Sequence, residues 1–155
     1  MTSTPHTFAN RGSPDEIESG STLAPKFDGQ GVLAAVVTEA DTGEVLMLAW
    51  MNAEALARTI DTAEAHFFSR SRGRLWKKGE ESGNILDVVE MRTDCDQDAI
   101  WLKVRIRGLA AACHTGHRTC FYRRIRVGAR KSVGLESAGT PRLFDPAAVY
   151  PRSKA

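Results

Sequence analysis

The segment I-W-L-K-V-R-I-R at Ile100–Arg107 decides the fold of this chain, together with D-C-D-Q-D before it (Asp94–Asp98) and C-H-T-G-H-R-T-C after it (Cys113–Cys120). Apolar and polar residues alternate strictly along Ile100–Arg107, which is the period of a half-buried β-strand. All three cysteines of the 155-residue protein fall within this stretch. We therefore expect a central strand with chemically active residues at both ends.

The acidic run has its own expected geometry. With strand conformation continued back through it, Asp94, Asp96 and Asp98 share one face and Cys95 points to the other. Hard oxygen ligands then lie on one side and a soft sulfur on the other. The pattern predicts two metal sites of different character built on one strand.

Bulk properties limit the class of protein. The length fits one domain that buries roughly two-thirds of its unfolded surface, and a net charge of +2 does not indicate a dedicated nucleic-acid binder. The sequence has neither an apolar run long enough to span a bilayer nor the start of a signal peptide, so we expect a cytoplasmic location without membrane association. In a reducing compartment the cysteines stay thiols, which favours metal ligation over the alternative of inert buried thiols.

The chain divides into three parts. Residues 1–26 are rich in Ser, Thr, Pro and Gly and predict a flexible N-terminal tail; residues 27–127 form the domain; residues 128–155 predict an irregular C-terminal tail with at most a helical turn near Ala147. Further predicted elements are a hairpin of strands 31–39 and 44–50, a helix from the N-cap Asn52 to Thr62 with Leu56 and Ile60 facing the core, and strands 65–70, 74–78, 85–93 and 119–127. The fold class is a β-rich α+β domain of antiparallel sheets in a partly open, barrel-like arrangement with one or two short helices.

The alternating aspartates indicate a divalent cation, because Mg²⁺ and Ca²⁺ prefer carboxylate oxygens. An EF-hand loop is excluded, since its glycine position is Ala99 and its terminal glutamate position is Arg105. A solvated acidic turn explains the spacing equally well.

The cysteines suit a tetrahedral zinc site of three thiolates and a fourth position held by water or histidine. The absence of C-x-x-C argues against a zinc ribbon, a thioredoxin-like motif and a zinc nucleobase deaminase. Three unrelated cysteines are the alternative. His114 is the candidate proton shuttle, whereas His117 is interpreted as a loop residue and His66 as structural.

A basic loop, Ser69–Lys78, offers five cationic side chains and two serines, which suits a phosphate group. A solvated hairpin and an RNA-binding surface with Phe67, Phe68 and Trp76 as stacking residues are the alternatives. The modest net charge favours a small phosphorylated ligand over nucleic acid.

Taken together, these blocks resemble the phosphoribosyl-AMP cyclohydrolases of histidine biosynthesis. The resemblance covers about residues 27–122 and rests on W-M-N (50–52), S-R-S-R (69–72), L-W-K-K-G-E-x-S-G-N (75–84), D-C-D-Q-D (94–98) and C-H-T-G-x-R-x-C-F (113–121). The blocks are individually weak and jointly specific.

The resemblance implies hydrolysis of the N1–C6 bond of the adenine ring of 1-(5-phosphoribosyl)-AMP by a zinc-activated water. It implies an obligate homodimer with zinc ligands drawn from both chains, zinc at Cys95, Cys113 and Cys120, and Mg²⁺ at Asp94, Asp96 and Asp98. Catalysis then falls to His114, and substrate binding to Ser69, Arg70, Arg72, Trp76, Lys78 and Asn84.

One departure from the family pattern concerns residues 107–112, which are about two residues longer than usual and are expected to form a bulge or a longer turn. Two other functions stay open on sequence grounds. The chain could be a zinc-stabilised RNA-binding domain or a redox sensor with exposed, low-pKa thiols.

Overall fold

The computed structural model describes residues 8–128 and 134–150. Its elements in chain order are α1 (Pro14–Ser19), β1 (Leu33–Glu39), β2 (Val45–Met51), α2 (Ala53–Thr62), β3 (His66–Ser69), β4 (Arg74–Lys77), β5 (Leu86–Thr93), β6 (Ala99–Ile106), β7 (Arg123–Ile125), β8 (Leu135–Ser137) and α3 (Pro146–Val149). The β-rich α+β class is therefore confirmed, and α3 lies where a helical turn was expected.

The main sheet has four strands in the order β2-β1-β6-β5. The predicted hairpin of β1 and β2 is confirmed, and β5 and β6 form a second antiparallel pair. At the centre, however, β1 and β6 run parallel, with Val37 opposite Leu102. The prediction of purely antiparallel sheets is therefore wrong, because the two hairpins join through strands that point the same way.

The alternation along β6 has the structural meaning that was predicted. Ile100, Leu102 and Val104 are buried, while Arg105 is exposed. The three buried side chains belong to one apolar core with residues of β1, β2 and α2. The fully buried Phe67 of β3 is part of the same core. Burial of one face of β6 fixes its register, because a slip of one residue would turn the charged face inward.

Helix α2 begins as predicted. The Asn52 side chain accepts a hydrogen bond of 2.9 Å from the amide of Ala55 and caps the helix. Leu56 is fully buried, but Ile60 is 44% exposed, so its assignment to the core is wrong. The buried position in that turn belongs to Thr59, whose hydroxyl donates to the Ala55 carbonyl and accepts from the amide of His66.

The remaining sheets are small. Strands β3 and β4 lie where strands 65–70 and 74–78 were predicted and pair with each other, and β7 pairs with β8. Within residues 8–128 and 134–150 the four-stranded and two two-stranded sheets are separate and do not close into a barrel. The strand expected over 119–127 shortens to β7, because Thr119 and Cys120 hydrogen-bond to the carbonyl of Leu46 rather than to a paired strand.

Residues 8–26, here termed the N-terminal arm, cross the surface beside the turn between β5 and β6. They contain α1, whose N-terminus is capped by a capping box formed by Ser13 and Glu16. Phe8 lies 6.4 Å from the ring of Phe27, and both pack against the core. The division of the chain at residues 26 and 127 stays a prediction. Over the described residues, no helix has the length and apolarity needed to cross a membrane.

Candidate active site

The acidic run is a turn, not a strand. Residues Asp94–Asp98, here termed the acidic loop, connect β5 to β6, and the expected strand geometry is wrong because the chain reverses at this point. Asp94 organises the turn: its Oδ1 atom accepts hydrogen bonds from the amides of Asp98 (3.0 Å) and Ala99 (3.1 Å). This curl brings one carboxylate oxygen from each of Asp94, Asp96 and Asp98 within 4.8 Å of one another.

The electrostatics of the acidic loop show the cost of this crowding. Burial raises the pKa of Asp94, but hydrogen bonds from Asp98 and from the amide of Ala99 outweigh it and lower the pKa overall. The hydrogen bond with Asp94 raises the pKa of Asp98, and the negative charges of Asp94 and Asp96 raise it further. A divalent cation would relieve this repulsion, and carboxylate oxygens are its preferred ligands.

A second set of ligands lies in the cysteine loop, Cys113–Cys120. Cys113 is buried, and its amide donates to the carbonyl of His117, while the amide of Gly116 donates back to the carbonyl of Cys113. The amide of Cys120 is anchored on β2 by a 2.7 Å hydrogen bond to Leu46. This folding of the loop brings the thiols of Cys113 and Cys120 close enough for each to shift the pKa of the other.

The two thiols behave as a coupled pair. The hydrogen bond from Cys120 lowers the pKa of Cys113 to about 5 against the effect of burial, with further help from Thr115. The same hydrogen bond raises the pKa of Cys120. A thiolate stabilised in this way is the form that binds a soft metal ion.

Cys95 lies apart from this pair. It is exposed in the acidic loop, and among the described residues the aspartates are the single group of three potential ligands with mutually adjacent ligand atoms. One chain therefore brings together two of the three predicted zinc ligands.

A cleft of about 1340 Å³ collects most of the predicted substrate-binding residues. One wall comes from the basic loop, which includes β4, and from the end of β3 before it. His114 of the cysteine loop borders the same space. The predicted residues that line it are Ser69, Arg70, Arg72, Trp76, Lys78 and His114. They were selected from separate motifs, and the fold places them around a single space.

Two aromatic residues support the cations of the cleft. The Arg70 guanidinium lies over the ring of Trp50, 4.2 Å from its centroid, and both residues line the cleft. Lys78 is buried and lies near Trp76. Burial lowers the pKa of Lys78, and negative charge on Cys120 and Cys113 offsets this only in part, so the pKa stays below its usual value. Lys78 therefore links the cleft electrostatically to the cysteine pair.

Asn84 has a different location from the other predicted residues. It is buried, and its Oδ1 atom accepts a 2.8 Å hydrogen bond from the amide of Leu109. It does not belong to the lining of the cleft. Residues 107–112 form a turn, one of the two conformations expected, with positive φ at Gly108 and Ala110, and the Asn84 side chain holds that turn at Leu109.

Residues of the C-terminal segment were missed from the sequence. Arg142, Asp145 and Tyr150 line the cleft together with the basic loop. The segment is tied to the cysteine loop by a 2.7 Å hydrogen bond from the amide of Leu143 to the carbonyl of Gly116. A Cβ atom at Gly116 would lie 2.1 Å from the carbonyl oxygen of Phe144. Gly116 is the sequence feature that could have indicated this contact, because glycine allows another part of the backbone to approach closely.

His117 also has a definite position. Its ring stacks on Tyr122 at 3.7 Å with an interplanar angle of 4°, and its Nδ1 atom lies 3.0 Å from the hydroxyl of Thr115. His66 is a structural residue, as interpreted from the sequence, and its Nδ1 atom contacts the Glu64 carbonyl at 2.8 Å.

The fold and the site define a small α+β protein with two groups of potential metal ligands, one of them bordering a cationic cleft. Comparison with known proteins gives the particular family. Residues 47–122 match the family model described as phosphoribosyl-AMP cyclohydrolase, and the chain belongs to this family.

Relatives that carry the same name span nearly the whole chain. A phosphoribosyl-AMP cyclohydrolase of Rhodopseudomonas palustris (strain BisB18) is 55% identical over 136 residues, which is 88% of this chain and 92% of the relative. That of strain ATCC BAA-98 / CGA009 is 57% identical over 138 residues, or 89% and 91%. That of Rhizobium etli (strain CIAT 652) is 52% identical over 147 residues, or 94% and 97%.

Proposed function

We propose that this chain is a phosphoribosyl-AMP cyclohydrolase of histidine biosynthesis that acts in the cytoplasm. The reaction is hydrolysis of the N1–C6 bond of the adenine ring of 1-(5-phosphoribosyl)-AMP. The observation that carries the proposal is the convergence of the basic loop, Lys78 and His114 on one cleft beside the cysteine pair. Relatives more than 50% identical, named for this activity and covered over nine-tenths of their length, support it.

The residues present fit the two metals that the family implies. Cys113 and Cys120 form a pair in which one sulfur is stabilised as thiolate, and Cys95 of a second chain would complete the set in a homodimer. Asp94, Asp96 and Asp98 offer three convergent oxygens to Mg²⁺. Bound zinc would supply the Lewis acidity that makes water a nucleophile near neutral pH.

The residues of the cleft would bind the substrate at both phosphates. Arg70 and Arg72 present guanidinium groups that match phosphate oxygens in pairs, and the Ser69 hydroxyl lies beside them. The indole of Trp76 offers an apolar surface to the base. Lys78, buried between the cleft and the thiols, would hold negative charge near the reacting carbon.

His114 would move the proton. In the reaction the oxygen of water bonds to C6, the N1–C6 bond breaks, and the two protons of water end on N1 and on the exocyclic nitrogen. An imidazole titrates in the pH range where such a transfer is fast in both directions. His114 is exposed and lines the cleft in which the base would bind.

A cysteine substitution tests the proposal. Cys113→Ser keeps the size of the side chain but removes the thiolate, so we expect the purified variant to lose bound zinc and turnover together. The matched control is Ser137→Cys, which adds an exposed thiol away from the cleft and should leave both unchanged. Full turnover by zinc-free Cys113→Ser would contradict the assignment.

A further inference from the structure

The N-terminal arm is attached to the acidic loop by one buried side chain. Gln97 is 5% exposed. Its Oε1 atom accepts a 2.8 Å hydrogen bond from the amide of Ala24, and its Nε2 atom donates to the carbonyls of Ile17 (3.1 Å) and Thr22 (3.3 Å). Every one of these partners is backbone of the arm, so the contact does not depend on the arm's side chains.

The backbone of Gln97 is held by the arm as well. Its carbonyl accepts a 2.7 Å hydrogen bond from the amide of Lys26. Its φ angle is +58°, a left-handed conformation that is unfavourable for a residue with a side chain. Such a conformation persists where the surroundings over-determine it. The four hydrogen bonds to the arm contribute to this determination, together with the bond of 3.2 Å from the amide of Gln97 to the carbonyl of Asp94 within the loop.

Arg11 adds a second attachment. Its guanidinium donates to the carbonyl of Asp96 and to the carbonyl of Ala24, both at 2.8 Å. It therefore bridges the acidic loop and the end of the arm. Because Asp96 lies between Asp94 and Asp98, holding its backbone sets the position of the middle carboxylate relative to the other two.

We propose that the N-terminal arm holds the acidic loop in the conformation that binds a divalent cation, with Gln97 and Arg11 as positioning residues. This inference rests on the proposed function, in which the acidic loop carries Mg²⁺. The arm contributes no ligand; it acts through the peptide groups of Asp96 and Gln97. Arm docking and cation binding then favour each other reciprocally, because both require the same turn.

Two variants separate the attachments. Gln97→Gly removes the buried side chain but tolerates the positive φ, so loop geometry stays accessible while the arm loses its anchor. Arg11→Ala removes the bridge and leaves Gln97 intact. Arg58→Ala is the matched control, since Arg58 is an exposed arginine whose ion pair with Glu54 lies on α2.

The readout is the affinity of zinc-loaded full-length protein for Mn²⁺, measured by electron paramagnetic resonance, with Asp96→Asn as the reference for loss of the site. We expect each of Gln97→Gly and Arg11→Ala to weaken Mn²⁺ binding about tenfold, as supporting residues around metal sites do. Arg58→Ala should bind as wild type does.

Hydrogen exchange supplies an independent readout of docking. In Gln97→Gly the amides of Ala24 and Lys26 should exchange faster, and in wild type Mg²⁺ should slow both. Unchanged Mn²⁺ affinity in a Gln97→Gly protein whose arm is released would overturn the inference and leave the proposed function intact. Equal Mn²⁺ binding by wild type and Asp96→Asn would also overturn the inference. Turnover of phosphoribosyl-AMP by the same wild-type sample shows separately whether the proposed function is correct.

Discussion

The hydroxyl of Thr115 donates a 2.9 Å hydrogen bond to the sulfur of Cys113. The same hydroxyl lies 3.0 Å from Nδ1 of His117, whose ring is stacked on Tyr122. The cysteine loop therefore orients the sulfur through a hydroxyl whose own position is fixed by a stacked imidazole. Groups that orient a metal ligand in this way govern affinity for the metal.

Thr115→Val tests this relationship, because valine keeps the shape of threonine and removes the donor. We expect zinc affinity, measured by chelator competition, to fall about tenfold. Thr115→Ser retains the hydroxyl and should stay near wild type. Equal zinc affinity in the valine and serine variants would show that the hydrogen bond does not orient the thiolate.

Gly116→Ala tests the attachment of the C-terminal segment to the site. The added methyl group would meet the carbonyl of Phe144, so the segment that carries Arg142 and Tyr150 must move. We expect KM for phosphoribosyl-AMP to rise, with a smaller effect on kcat.

Gly139→Ala is the control for that substitution. Gly139 also has positive φ, at +84°, but nothing lies within 4 Å of the position that an alanine methyl group would take there, so this variant reports backbone strain alone, about 1 kcal/mol. An unchanged KM in Gly116→Ala would show that the C-terminal wall of the cleft does not contact the substrate.

Arg70→Lys tests the paired hydrogen bonds expected at a phosphate. Lysine keeps the charge but cannot stack its head group on Trp50 or present two parallel donors. KM should rise on the order of tenfold, with kcat little changed. Arg58→Lys on α2 is the matched control. A KM equal to that of wild type would remove Arg70 from the substrate site.

Acid stability should depend on the ion-pair cluster around Arg107. A hydrogen bond from Arg107 lowers the pKa of Asp87. The pKa of Glu64 is lowered mainly by its hydrogen bond with Lys77 and, to a smaller extent, by that with Arg107. Groups with lowered folded-state pKa values stabilise the fold above their unfolded values, about pH 4, and lose this contribution as the pH falls through the folded values.

Thermal unfolding measured from pH 7 to pH 3 checks this prediction. Arg107→Gln should lower Tm more at pH 7 than at pH 3, because protonation of Asp87 and Glu64 at low pH removes part of what Arg107 contributes. Arg105→Gln, which removes a single exposed pair with Asp41, should lower Tm less. An Arg107→Gln effect that is constant with pH would show that the cluster does not contribute through its charges.

Sequence reasoning predicted the elements better than their arrangement. The alternation at Ile100–Arg107 determines one buried face and therefore a strand, and Asn52 determines a helix start through its own side chain. The parallel pairing of β1 with β6 joins residues more than 60 positions apart. No local pattern encodes such a partner, since a period of two shows which face is buried and not which strand lies beside it.

For the functional site, too, the sequence identified individual residues better than their spatial arrangement. Motifs identified Arg70, Lys78 and His114, and the structure places all three on one cleft. Asn84 was grouped with them by its motif, although its buried side chain supports the turn at Leu109. Gln97 was not identified from its motif, because its side-chain contacts are with the N-terminal arm, more than 70 positions away in sequence.

The measurement that tests the central claim most directly is hydrolysis of phosphoribosyl-AMP by the purified protein, followed in the ultraviolet before and after zinc chelation. We predict turnover that chelation abolishes and added zinc restores, with folding monitored throughout by circular dichroism. Absence of turnover by folded, zinc-loaded protein, or turnover that chelation leaves unchanged, would contradict the account.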